Sequence, residues 1–232
     1  MAIGSGTGTQ AAAPYAVTAV ELVAGVRLAL DDAAAAAFSD AELLDFVAEA
    51  IGEYSQHLPR VSEVVLATLA GERRYALPWD AAAVISVEYP SGDEPPSYIY
   101  RRRYRSSQFA AGNAYDVLLT RDLTDPPGLL LSFDPAAGEA LVVRYARPHA
   151  RPASAADYLT VPDDHHHVLR QYVLFAAARQ LQAREQASPT NNSSLLMGQL
   201  ASNTRRLELA WLKALNRSLY QRSGEGEVVR WE

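Results

Sequence analysis

The sequence contains no cysteine. Disulfides, thiolate catalysis and cysteine-based zinc sites are therefore excluded. Lysine is almost missing too: Lys213 is the single one among 21 basic residues. With 27 acidic residues the net charge is −6, so the chain taken whole does not attract nucleic acid. There is no run of about 18 apolar residues, so no helix is expected to span a membrane. Met1–Pro14 has neither Lys nor Arg, and no apolar stretch follows. It lacks both parts of a secretory signal, and residues 1–17 read as a flexible arm.

The usual catalytic signatures are missing as well. Gly4-Ser5-Gly6-Thr7-Gly8 has no preceding strand and no following lysine, so it is not a phosphate loop. No Gly-x-Ser-x-Gly elbow is present. Of the five histidines, His165, His166 and His167 are consecutive. On a helix they point about 100° apart and cannot converge on one metal, so they read as a polar helix start. His57 sits where it can meet a helix C-terminal dipole, and His149 lies in a proline-rich linker. The acidic pairs Asp31-Asp32 and Asp163-Asp164 adjoin helix termini, where capping explains them. No catalytic centre, metal or cofactor is expected.

What is present is a clear alternation of textures. Residues 18–30 carry Val23, Val26 and Leu30 at helical spacing. Ser39 with Glu42 three residues on forms a capping box, and Phe38 and Leu43 occupy the two staple positions around it. Leu43, Phe46, Val47, Ala50, Ile51 and Tyr54 continue as one apolar stripe that Pro59 ends. Seven short runs rich in Val, Ile, Leu and Tyr follow: 61–69, 73–77, 84–89, 98–104, 114–120, 129–133 and 140–145. Turn residues separate them, which predicts an antiparallel sheet or small sandwich without βαβ units. Helical texture returns after Pro162, with Val168, Leu169, Tyr172, Val173, Ala176 and Leu181 on one stripe up to about Ala187. A last helix carries Leu196, Leu200, Leu207, Trp211, Leu215 and Leu219.

The fold class is therefore α+β, a helical bundle of two N-terminal and two C-terminal helices with an inserted antiparallel β module. The expected division is residues 18–60 plus 155–219 for the bundle, 61–154 for the β module and 220–232 for a C-terminal docking tail. Leu43, Phe46, Val47, Ile51, Tyr172, Val173 and Leu181 are expected to share one core.

Two segments stand out as contact candidates. Arg101, Arg103 and Arg105 would align on one face of a strand and could meet phosphates or an acidic partner, or serve as a charged edge. Val228, Val229, Arg230 and Trp231 follow Gly224 and Gly226, and could cover their own domain or dock on a neighbour.

This layout over residues 18–219 resembles the head-to-tail adaptor (connector) proteins of tailed bacteriophages. The resemblance rests on Phe38-Ser39-Asp40-Ala41-Glu42-Leu43-Leu44 running on to Tyr54 and Leu58-Pro59, and on Tyr75-Ala76-Leu77-Pro78 before the strand at 84–90. Its third support is Leu159-Thr160-Val161-Pro162 leading into 169–181. It implies a structural protein of the virion neck, assembled in the host cytoplasm as a homo-oligomeric ring of twelve subunits below the portal protein. Such a ring extends the channel for double-stranded DNA and offers a surface to tail or neck proteins. It also implies that residues 220–232 reach the portal, with Val228, Val229, Arg230 and Trp231 as the portal-binding residues. The rival readings are another neck, tail-ring or capsid accessory protein, a carbohydrate-binding β module on a helical scaffold and, least supported, an enzyme.

Overall fold

The computed structural model describes residues 17–32, 34–101, 113–118, 125–187 and 193–224. They fall into two compact units, a helical one ending at Leu58 and resuming at His149, and a β one over Pro59–Pro148. Two α-helices precede the strands and two follow them, so the chain is α+β with the sheet inserted between helical pairs.

In the helical unit, α1 spans Ala19–Leu30 and α2 spans Asp40–His57. The box at the start of α2 is formed as its sequence predicts. The Glu42 backbone N–H donates to Ser39 Oγ at 3.2 Å, and the Ser39 N–H donates to the Glu42 carboxylate at 2.9 Å. Phe38 and Leu43 are both buried. The loop between α1 and α2 is organised by Asp32, whose carboxylate accepts the backbone N–H groups of Ala36, Ala37 and Phe38. Arg27 binds the same carboxylate at 3.1 Å and reaches Asp40 as well.

A single 3-10 turn over Asp163–His165 leads into α3, His166–Ala187. The final helix, α4, spans Ser193–Gly224 and is about 48 Å long. Tyr220–Gly224, read from the sequence as the start of a tail, therefore continue this helix. The central element is α3, which packs against α1, α2 and α4. The core gathers Leu43, Val47, Ile51, Tyr172 and Val173, with Phe46 and Leu181 partly buried against it. That is the predicted set in one cluster.

The β unit holds seven described strands at the seven predicted places: β1 Arg60–Ala67, β2 Arg74–Ala76, β3 Ala83–Glu88, β4 Tyr98–Arg101, β5 Ala114–Leu118, β6 Gly128–Leu131 and β7 Ala140–Arg147. They form one sheet in the order β1-β7-β3-β4-β5-β6-β2. Five pairings are antiparallel, and β4 runs parallel to β5. The sheet is mixed, where the sequence predicts an antiparallel one. Alternating apolar residues set which face a strand buries and carry no information on its direction. Direction follows from the connection, and the link from β4 to β5 runs through residues 102–112, outside the described residues.

The sheet cannot lie flat. Flat, its two edge strands would lie about 29 Å apart. Yet β1 and β2 are joined through residues 68–73, a link that spans at most about 24 Å. Side chains from both halves consequently meet in one core containing Tyr75, Val87, Ile99, Tyr115, Leu129, Leu131, Leu141 and Val143. Tyr89 and Phe133 touch at 5.1 Å between ring centroids, and the Ala136 N–H donates to the Tyr89 hydroxyl at 2.9 Å.

Candidate functional site

The long helix α4 is held in place by aromatic packing. Trp211 sits edge-on to Tyr172 at 5.0 Å and stacks nearly parallel to Phe175 at 6.3 Å. The Tyr172 hydroxyl donates to Glu49 on α2 at 2.8 Å, and Arg179 binds the same carboxylate at 3.2 Å. Burial, and then the acceptor Glu49, pushes the Tyr172 phenol far up, so it stays a donor at any physiological pH. Offset and edge-on aromatic pairs of this kind contribute beyond their buried area. The network ties α2, α3 and α4 together.

With Leu207, Trp211 and Leu215 packed in the helical core and Ser218 buried, the opposite stripe of α4 faces solvent. It presents Arg205, Arg206, Leu209, Leu212, Lys213 and Arg217, all exposed. Leu209 and Leu212 are 57% and 39% exposed. Residues 193–224 carry five Arg or Lys and one Glu. Residues 17–58, which form α1, α2 and their loop, carry eight Asp or Glu and one Arg. An acidic chain thus contains one strongly acidic hairpin and one basic helix within the same unit.

The predicted site residues are distributed as follows. Arg101 is the exposed last residue of β4, in register with Tyr115 on β5. Burial pushes the Tyr115 phenol up, and the Arg101 charge works against that. Tyr98 and Tyr100 point to the other face of β4 and are exposed, while Ile99 is buried. Arg103, Arg105, Val228, Val229, Arg230 and Trp231 lie outside the described residues, so the predicted arginine row and docking segment have no geometry here.

The histidine triplet differs from its reading as a polar helix start. His165 is buried, with its Nδ1 on the Tyr54 hydroxyl. His166 and His167 bond the backbone carbonyls of Val161 and Asp164, at 3.0 Å and 2.8 Å. His149, read as a linker residue, is buried beside Tyr54 at 5.3 Å between rings. Its Nδ1 lies 2.7 Å from the Thr160 carbonyl oxygen and its Nε2 3.1 Å from that of Leu58. The Ser55 hydroxyl accepts the His149 backbone N–H at 3.0 Å. These groups hold together the two points where the helical unit is interrupted. No periodic pattern announces them, because His149 stands alone beside a proline and His165 is one of a polar run at a helix start. Among the described residues no group of three His, Cys, Asp or Glu gathers as a metal site. No described helix is long and apolar enough to cross a membrane.

Comparison with protein families gives a match to the SU10 adaptor protein family over residues 17–224. The chain belongs to that family. The match covers both helical pairs and the inserted sheet, and it agrees with the resemblance to phage head-to-tail adaptors carried by the stretches around Ser39, Tyr75 and Leu159. Among curated proteins no match is found.

Proposed function

We propose that this adaptor is a structural component of a phage neck: a homo-oligomeric ring of about twelve subunits below the portal protein that extends the DNA channel and offers the tail its attachment surface. The observation that carries the reading is the family match over residues 17–224, on a fold whose helices and inserted sheet that match spans end to end. An adaptor role is a contact role, so no reaction is assigned to the protein. The site of action is the virion, reached after subunit synthesis in the host.

In the same reading, Val228, Val229, Arg230 and Trp231 dock on the portal. Val-Val suits an added strand, and a buried tryptophan supplies anchoring area. Many such segments on one ring would act together, so individually weak contacts would give firm attachment. Arg101, Arg103 and Arg105 serve as a contact for an acidic partner or for phosphates.

The test is attachment to DNA-filled, tailless heads, viewed by electron microscopy. Intact protein is expected to add a ring at the portal vertex. Protein lacking residues 225–232 is expected to keep its helical circular-dichroism spectrum and fail to attach. Normal attachment by the shortened chain would remove the docking role of these residues, and failure of the intact chain to attach would remove the neck assignment.

A further inference from the structure

The charge separation within the helical unit is the feature that the fold does not explain. Arg205, Arg206, Lys213 and Arg217 on α4 make no ion pair among the described residues, whereas Arg27, Arg179 and Arg184 all do. On the α1–α2 hairpin, Asp40, Glu42 and Glu49 are matched by Arg27, Arg184 and Arg179. Asp31 and Asp45 are exposed and have no ion-pair partner among the described residues, and Glu53 is held only by the Gln56 amide at 3.4 Å. Among the described residues of the helical unit, most cations without an ion pair lie on α4, with Arg151 and Arg170 outside it, and carboxylates without one lie mainly on the hairpin, with Glu208 on α4 itself. The helix α3 lies between, packing against all three.

We propose that the exposed face of α4 docks on the acidic α1–α2 hairpin of a second copy of this chain, head to tail. The two faces are different, so the contact is heterologous. A heterologous contact repeated around a rotation axis closes into a ring. The spacing is commensurate. Asp45, Glu49 and Glu53 recur every four residues along α2, about 6 Å apart, and Lys213 and Arg217 repeat the same step on α4. Leu209 and Leu212 lie among these cations and supply apolar contact, while exposed Val20 and Leu28 on α1 do the same for the hairpin. Arg151 is the opposing feature: its guanidinium lies across Gly52 and puts one cation on the α2 face.

A nucleic-acid reading of the basic stripe is less well supported. Phosphates reward cations and give nothing for exposed leucines between them, and the hairpin in the same unit repels a polyanion. The inference rests on the ring reading above for its biological meaning. It stands or falls by itself on the self-association of the purified chain.

The experiment uses two full-length variants, one with Arg206→Glu and Lys213→Glu, the other with Asp45→Lys and Glu53→Lys. Asp45, Arg206 and Lys213 are exposed and Glu53 is half-buried, and a thermal melt checks that each variant folds. Sedimentation velocity at low salt is expected to show the parent self-associating and dissociating as salt screens the charges. Each variant alone is expected to associate roughly tenfold or more weakly, because like charges then face each other. Mixing the two variants restores opposite charges at every contact and is expected to restore the assembly. That rescue cannot come from a general loss of stability. A parent that assembles while both variants assemble equally well would overturn the proposal and leave the ring reading intact with another interface. A parent that stays monomeric at the highest attainable concentration would overturn the proposal, the ring reading then resting on attachment to heads alone. Binding of a DNA duplex, followed by fluorescence polarisation, that is lost with the α4 variant while self-association is unchanged would reassign the stripe to nucleic acid.

Discussion

Asp32 shows how one residue can shape a connection. Its carboxylate holds three backbone N–H groups and the Arg27 guanidinium, and so fixes the turn that lets α2 fold back on α1. The Ala37 N–H, more than any other group, holds this carboxyl below its usual range; burial opposes it, and Phe38, Ala36 and Arg27 add to it. A lowered folded pKa means that the stabilisation is present above the unfolded value, ~4, and is lost as the pH falls through the lower folded one. Glu21, Glu42 and Asp157 are lowered in the same direction by their hydrogen bonds to Thr18, Ser39 and Ser154. The helical unit should therefore lose stability between pH 5 and pH 2, read by urea unfolding at each pH. Asp32→Asn should be less stable at pH 7 and should show a flatter pH dependence. A variant with the parent's slope would show that Asp32 is not one of the groups responsible. The sequence marks Asp31-Asp32 only as a cap. The longer reach of Asp32, across a loop to Phe38, depends on a backbone path that no local spacing specifies.

Among the elements, the legible ones are those whose signal is local. The start of α2 is written in Ser39 and Glu42, and the seven strands are written in the turn residues between them. What escapes is decided by partners elsewhere in the chain. The parallel register of β4 with β5 depends on a connection. The extent of α4 past Tyr220 goes unmarked because Gln221-Arg222-Ser223 neither breaks nor demands a helix. The histidines at 149 and 165 are polar residues whose partners lie far away in sequence, so neither periodicity nor composition points inward. For α2 the local signals and the packing agree, which makes it the best test. Leu43 is fully buried and Phe46 only half so. Leu43→Ala should cost about 2–5 kcal/mol, and Phe46→Ala less than full burial of a phenylalanine would give. Ser39→Ala should cost about 1 kcal/mol through the lost cap. All three are read as a lower urea midpoint at unchanged slope. A Leu43 variant as stable as the parent would mean that α2 does not pack as described.

At the scale of the molecule, the helical unit is discontinuous in sequence but complete in its contacts. Every described helix, and the whole core around Leu43, Ile51, Leu169 and Val173, belongs to it. The break is closed from within. The His149 ring spans from the Leu58 carbonyl, at the end of α2, to the Thr160 carbonyl, and the Ser55 hydroxyl takes the His149 N–H. Leu58 and His149 are thus held together by hydrogen bonds that need nothing from residues 59–148. A domain inserted at a closed junction of this kind can be exchanged for a short loop at a small entropic cost, since closure entropy rises slowly with loop length. Replacing residues 59–148 with a short glycine-serine linker should therefore leave a helical protein that melts cooperatively, followed by circular dichroism. Adding His149→Ala to that shortened chain should destabilise it by roughly 1–3 kcal/mol, because the ring's hydrogen-bonding contacts with the Leu58 and Thr160 carbonyls are lost and only the backbone N–H to Ser55 remains across the junction. If the shortened chain is a loose helical state without a cooperative melt, the helices need the sheet in order to pack. If it melts cooperatively and His149→Ala leaves its stability unchanged, the junction is held by the α2–α3 packing alone.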